Sequence, residues 1–264
     1  LIKSIAIGSF DGLHIAHQEL ISKVDGVVVI ERNCATLTAG YKRTFHTNKP
    51  MFFYSFDKIK DLTPQEFTDK ISLDFPALKK IIIGYDFAFG RGKSGNSDTL
   101  KTLFHGDVEV IDEIKIEGVG VHSKIIREFL ANGNIRRANQ FLGYEYQIDG
   151  IVIKGQGLGK NELVATINIE VNDLLLPYDG IYATNTKIDD VWYSSVSFLG
   201  NRVSTDGKFA IETHILDTNI GEISGVIAIK FIDFIRENRK YDNLIDLKEQ
   251  IAKDTNKARE INER

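Results

Sequence analysis

Near the start of the chain, apolar residues form two short unbroken runs, 5–8 and 27–30. Between them lies a stretch, 17–24, whose apolar positions recur at helical spacing. An unbroken run predicts a strand buried on both faces, and a 3.6-residue recurrence predicts an amphipathic helix. The pattern returns at 81–84 and 108–111 as strands, with helical patterns at 97–104, 123–132 and 135–142. Strands alternating with helices in this order predict an α/β half: a parallel sheet carrying helices on its faces.

After about Tyr144 the texture changes. Stretches 148–154, 164–171, 180–186, 191–199, 209–216 and 223–231 are rich in β-branched and aromatic residues, and many are separated by Gly, Asn or Asp. Strands following one another without helices predict a small antiparallel barrel or sandwich. From residue 243 onward Leu244, Leu247, Ile251 and Ala258 mark one helical face, with Asp242 or Asn243 placed to cap the first turn. The reading is therefore α/β plus β in two domains, 1–144 and 145–264, without internal repeats or low-complexity segments.

Composition narrows the function classes. The 264 residues are 42% hydrophobic and 27% charged, with a formal charge of −4. This balance offers no general attraction to polyanions, which argues against a nucleic-acid partner and makes any phosphate binding local. Cys34 is the only cysteine, so neither an intrachain disulfide nor a multi-cysteine zinc site is expected, and a reduced, cytoplasmic setting fits. The apolar runs are too short to span a membrane, and the start carries no signal-peptide pattern.

Three segments carry candidate phosphate chemistry. The run from Gly8 to His17, Gly-Ser-Phe-Asp-Gly-Leu-His-Ile-Ala-His, leaves a strand, turns at Gly12 and enters a helix. Ligands of open parallel sheets sit beyond the carboxyl ends of the strands. His14 and His17 would then stand at a helix N-terminus, where free amides and the dipole favour anions. An ordinary turn with two unremarkable histidines has the same spacing. After the strand at 81–84, Gly90, Gly92 and Gly95 surround Arg91 and Lys93, but the spacing fails as a P-loop because Phe87 stands where its first glycine belongs. Ser123 suits a helix cap, and Arg127 follows one turn later.

In order, these segments resemble the nucleotidylyltransferase half of the bacterial bifunctional riboflavin kinase/FMN adenylyltransferase (FAD synthetase) family. Its Phe-Asp-Gly-Val-His-x-Gly-His pattern is met at Phe10, Asp11, Gly12, His14 and His17, with Ala16 for the glycine. Gly84, Asp86, Phe87, Phe89 and Gly90 match its second block. His122, Ser123, Lys124, Ile126 and Arg127 stand where the family has Ser-Ser-Thr-x-Ile-Arg, and its Pro-His-Pro segment is not recognisable. The resemblance implies a Rossmann-like domain in which FMN phosphate attacks the α-phosphorus of ATP. His14, His17 and Arg127 would be catalytic. Gly8, Phe10, Asp11, Asp86, Phe87, Gly90, Arg91 and Ser123 would line the nucleotide and flavin sites.

The resemblance continues through the second half. Gly155, Gly159, Lys160, Thr166 and Asn168 match the kinase phosphate loop, although Glu162 to Ala165 replace its Leu-Gly-Phe-Pro core. Taken alone, 155–160 reads as a hairpin turn. Thr166 and Asn168 lie two apart on a predicted strand, hence on one face, and their oxygens suit Mg²⁺; a merely polar strand face has the same pattern. Tyr182 closes a Leu-Pro-x-Gly-Val-Tyr-like loop, Glu212 begins a Glu-x-His strand, and Arg236 lies in a closing segment. The family implies Glu212 as the base for phosphorylating riboflavin. Gly155, Gly159, Lys160 and Tyr182 would serve the nucleotide, Arg236 the flavin, and Thr166 and Asn168 the Mg²⁺ that accompanies ATP. Riboflavin, FMN and ATP are the implied small-molecule partners. The alternatives are an enzyme retaining one of the two activities, or a flavin-binding protein with neither.

Overall fold

The computed structural model describes residues 1–32, 36–154, 165–204, 206–218 and 220–263. The chain separates into two compact units, Leu1–Ser123 and Lys124–Arg264. This division falls earlier than the expected one after residue 144, for a reason that lies in the second unit.

The first unit is built on five strands: β1 (Ser4–Gly8), β2 (Gly26–Glu31), β3 (Met51–Ser55), β4 (Lys80–Gly84) and β5 (Asp107–Ile111). They pair in parallel in the order β3-β2-β1-β4-β5. The helices of this unit are α1 (Ile15–Ser22), α2 (Phe56–Ile59), α3 (Pro64–Asp74) and α4 (Ser97–Leu103). Alternate strand residues serve opposite faces, as a two-sided sheet requires. Ile5, Ile7, Ile81 and Ile83 pack with Phe67, Ile71, Leu100 and Phe104, whereas Ala6, Val27, Val29 and Ile82 pack with Phe10, Leu13, Leu20 and Ile21. A short hairpin, β6 (Lys115–Ile116) with β7 (Val119–Gly120), follows β5.

The sequence expectations for β1, β2, β4, β5 and α4 hold to within a residue or two. The expectation of a helix at 17–24 is met by α1, which begins two residues earlier. β3 and α3 were not expected. The start of α3 has a local signal: Thr63 and Glu66 form a reciprocal capping box, with Pro64 in the first turn.

The second unit begins with α5 (Ser123–Ala131), whose first residue lies just before the boundary, and α6 (Ile135–Leu142). A closed barrel follows: β8 (Gln147–Ile153), β9 (Ile167–Glu170), β10 (Gly180–Ile188), β11 (Val191–Asn201), β12 (Phe209–Ile215) and β13 (Val226–Glu237). Its strands close in the order β10-β11-β12-β9-β8-β13, each neighbouring pair antiparallel. The side chain of Asn139 on α6 donates to the Phe231 carbonyl at 2.8 Å and accepts the Tyr146 amide at 2.8 Å. That clamp ties α6 to the barrel and accounts for the earlier division.

α7 (Leu244–Asn262), capped by Asn243, sets Ala258 and Ile261 against Ile181, Ala183, Val196 and Leu216 on the barrel wall. Inside the barrel, Thr184, Ser195, Thr186, Thr213 and Ser197 close a ring of hydroxyl hydrogen bonds of 2.8–2.9 Å. Each hydroxyl can donate once and accept once around such a ring, so no buried donor is left over.

Candidate active sites

β1 and β4 are neighbours, yet the chain winds to opposite sides from them, which places the topological switch point between their carboxyl ends. The loops after Gly8 and Gly84 both leave the sheet there. The first is held in an unusual conformation, with positive φ at Phe10 (49°), Gly12 (85°) and Leu13 (31°). Such angles are costly outside glycine and persist only where surrounding bonds over-determine them.

Those bonds are present. The Asp11 carboxylate accepts the amides of Leu37 at 3.0 Å and Thr38 at 2.9 Å, and the Gly12 amide donates to the Thr38 hydroxyl at 2.7 Å. Ser123 donates its hydroxyl to the Asp11 carbonyl at 2.7 Å. Arg43, 1% exposed, donates Nε to the Ser9 carbonyl at 3.0 Å and Nη1 to Glu31 at 2.6 Å and to the Gly40 carbonyl at 3.0 Å.

The loop thereby delivers His14 to the N-cap of α1, where its ring stacks on His17 with centroids 3.6 Å apart. Phe10 meets His17 edge-on at 5.1 Å. Burial, then the charges of His14, Arg43 and His122, holds the affinity of His17 for a proton well below that of ordinary histidine. Among the described residues its buried Nδ1 has no hydrogen-bond partner. The ring is neutral at physiological pH and offers hydrogen bonds rather than charge. A helix N-terminus and two imidazoles in a loop braced by the Arg43 guanidinium can bind a phosphate chain and stabilise charge growing on it.

Two of the expected residues are engaged within the protein. The Asp11 carboxylate is occupied by backbone amides and clamps the loop. Phe10, 1% exposed, meets the ring of His17. Gly8 lies close beneath it: a Cβ there would stand 3.3 Å from the Phe10 ring, a tight contact. Asp86 and Arg91 are exposed in the loop after β4, where Phe87 stacks on Phe89. Arg127 belongs to the second unit. Arg43 and Thr38, which organise the loop, had no signal in the sequence, because neither lies in a periodic element.

In the barrel, Glu212 and Asn168 are direct cross-strand partners of β12 and β9. Arg202 contacts Glu212 at 3.2 Å and Asp206 at 3.0 Å. Burial raises the Glu212 carboxyl above its usual range, opposed by the Arg202 charge. Thr166 lies just before β9 and is exposed, so it precedes the strand on which it was expected. Gly155, Gly159 and Lys160 fall outside the described residues.

Two further expected residues are engaged within the barrel unit. Tyr182 is fully buried, with its hydroxyl on the Tyr178 carbonyl and its ring edge-on to Phe231. Arg236 gives Nε and Nη2 to Asp254 at 2.9 and 2.6 Å and Nη1 to the Glu237 carbonyl, which ties α7 to β13.

A family model described as FAD synthetase matches residues 46–125, and one described as riboflavin kinase matches 142–262. Similar curated proteins include the bifunctional riboflavin kinase/FMN adenylyltransferase of Pseudomonas fluorescens, 25% identical over 97% of this chain and 91% of its own. That of Listeria monocytogenes is 26% identical with the same two coverages, 97% and 91%. A solved structure described as a macrolide-efflux protein from Streptococcus pneumoniae has a TM-score of 0.85 at 24% identity, covering 97% of this chain and 94% of that one. That likeness shows the fold alone.

Proposed function

The chain belongs to the bifunctional riboflavin kinase/FMN adenylyltransferase family, and from this premise we propose which of its residues carry out each reaction. It is an enzyme of flavin cofactor biosynthesis that phosphorylates riboflavin to FMN with ATP and adenylates FMN to FAD with release of pyrophosphate. We assign adenylation to the first unit and phosphorylation to the barrel, in keeping with the ranges of the two family models.

In adenylation, an FMN phosphate oxygen attacks the α-phosphorus of ATP and pyrophosphate leaves, so no side-chain nucleophile is needed. The chain's task is alignment and stabilisation of charge on the leaving group. His14 and His17 are donors at the mouth of α1, fixed by their stacking and by the clamp around Asp11. Arg127 supplies a cation on the strength of its place in the family motif.

In phosphorylation, the 5′-hydroxyl of riboflavin attacks the γ-phosphorus of ATP. Glu212 accepts or orients the hydroxyl proton, a role that contributes roughly 10²–10⁴-fold. The Asn168 amide beside Glu212 and the Thr166 hydroxyl are hard oxygen donors, a chemistry that fits Mg²⁺. Bound there with ATP, the ion would neutralise phosphate charge. Gly155, Gly159 and Lys160 remain candidates to cradle the nucleotide.

The observation that carries this reading is that one unit holds the stacked histidine pair at the switch point and the other holds the half-buried Glu212 carboxylate beside Asn168. A cytoplasmic setting is in keeping with the lone Cys34. Among the described residues no helix is long and apolar enough to cross a membrane. Incubating the purified chain with riboflavin, ATP and Mg²⁺ and resolving the flavins tests the whole. FMN and FAD together are expected. FMN alone, or FAD only from supplied FMN, would leave one activity, and neither product would leave a flavin-binding protein.

A further inference from the structure

The turn that joins Asn201 of β11 to Phe209 of β12 carries two charged side chains beside Glu212. Three bonds close its backbone. The Arg202 amide donates to the Lys208 carbonyl at 2.9 Å, the Gly207 amide to the Arg202 carbonyl at 3.1 Å, and the Lys208 amide to Asp206 Oδ1 at 3.1 Å. Gly207, at φ 71°, takes the left-handed conformation that this reversal needs. Asp206 is thus fixed by the turn itself, with Oδ2 held by Arg202.

An arginine beside a single carboxylate commonly closes on both of its oxygens with two parallel hydrogen bonds. Arg202 does not. Its Nη1 donates to Glu212 Oε1 at 3.2 Å and its Nη2 to Asp206 Oδ2 at 3.0 Å, so the fork is divided between two carboxylates. The side chains of Arg202, Glu212 and Asp206 are 17%, 20% and 25% exposed, which leaves water little room to take the place of either carboxylate. Among the described residues Glu212 Oε2 makes neither a hydrogen bond nor an ion pair.

We propose that Asp206 is a positioning residue for riboflavin phosphorylation: by holding Nη2 of Arg202 it limits the guanidinium to one oxygen of Glu212 and leaves Oε2 as the acceptor for the substrate hydroxyl. The inference rests on the reading of Glu212 as the base. Without the Asp206 charge, Arg202 closes on both oxygens and the base is covered. Asp206 takes no part in the bonds that form and break, and its effect passes through Arg202.

The test uses the whole chain and measures riboflavin phosphorylation and FMN adenylation side by side, at alkaline pH, where the Glu212 carboxyl is ionised. Rates are taken per folded chain, with thermal unfolding as the measure of folding. Asp206→Asn removes the charge but keeps an oxygen that can accept the Lys208 amide, so the turn is preserved. Its kcat for phosphorylation should fall about 10-fold, the scale of one charge-assisted hydrogen bond closing over the base, with adenylation unchanged. In Arg202→Ala nothing covers the base, so phosphorylation persists. The double variant should match Arg202→Ala and outpace Asp206→Asn, a rescue that a merely structural aspartate would not show. A parental rate in Asp206→Asn, an equal loss from it in both backgrounds, or loss of phosphorylation in Arg202→Ala would overturn the proposal. Glu212→Gln is run in parallel. If it phosphorylates riboflavin at the parental rate, the reading of the base falls. If it loses phosphorylation while Asp206→Asn does not, only the role of Asp206 is lost.

Discussion

Glu212 and Asn168 face one another across β12 and β9, and the next residue along, Thr213, belongs to the hydroxyl ring inside the barrel. Because successive strand residues point to opposite faces, the base and the amide stand on the outer wall. Phe198, paired with Glu212 on the other side, shares that wall and packs with the cluster beneath α7. The Glu212 carboxylate thus lies outside the barrel, while the hydroxyl ring lies within it.

Glu212→Gln keeps the shape of the side chain and removes its basicity. Riboflavin phosphorylation should fall by at least ~10²-fold while adenylation of supplied FMN persists. Parental phosphorylation by the folded variant would remove Glu212 from the mechanism.

The opposing effects on Glu212 give a pH signature. Burial raises its carboxyl and Arg202 lowers it, and the base must be ionised to act. Riboflavin phosphorylation should therefore decline on acidification through a range above that of an ordinary glutamate. Arg202→Ala removes the lowering charge and should move that decline to higher pH. A shift in the opposite direction would contradict the assignment.

His17 makes two linked forecasts. His17→Ala should lower FAD formation from FMN by roughly 10²-fold, the scale for losing one transition-state donor, and spare phosphorylation. Because the folded ring binds a proton more weakly than the usual 6.5, the unfolded chain gains protons first as pH falls past that value. Stability is then full above about 6.5 and is lost on acidification, and the variant should show a flatter profile in thermal unfolding. A destabilised variant whose folded fraction adenylates normally would make His17 a packing residue.

Arg43→Met removes the guanidinium that joins Ser9, Glu31 and Gly40. Breaking a buried pair costs about 3–5 kcal/mol, and the partial exposure of Glu31 places this one toward the lower end. Denaturant unfolding should show the loss in the first unit, accompanied by loss of adenylation. Unchanged stability and unchanged adenylation would show that the histidine loop holds itself.

The Asn139 clamp makes α6 part of the unit expected to fold with the barrel. A fragment of residues 124–264 should unfold cooperatively, whereas 145–264 lacks α6 and leaves the Phe231 carbonyl and the Tyr146 amide without their partner. Equal melting temperatures for the two fragments would place the edge after residue 144.

Local patterning in the sequence determined the alternation of strands and helices in the first half, the β-rich second half and the closing helix. Each of these follows from burial period and turn chemistry within a few neighbouring residues. The segments that carry His14, His17, Glu212 and Asn168 were singled out by their resemblance to contiguous family motifs, not by periodicity. Tertiary structure decided what depends on partners far apart in the chain. Asp11 became a clamp because residues 36–38 bring their amides to it, and Arg43 became the keystone of that loop from a segment with no periodicity. Tyr182 went to the barrel interior and Arg236 to Asp254 because strand register and the packing of α7 fix where a side chain points. Hydrogen bonds across dozens of residues leave no period in a sequence, so only the folded chain shows which polar groups are occupied and which remain for a substrate.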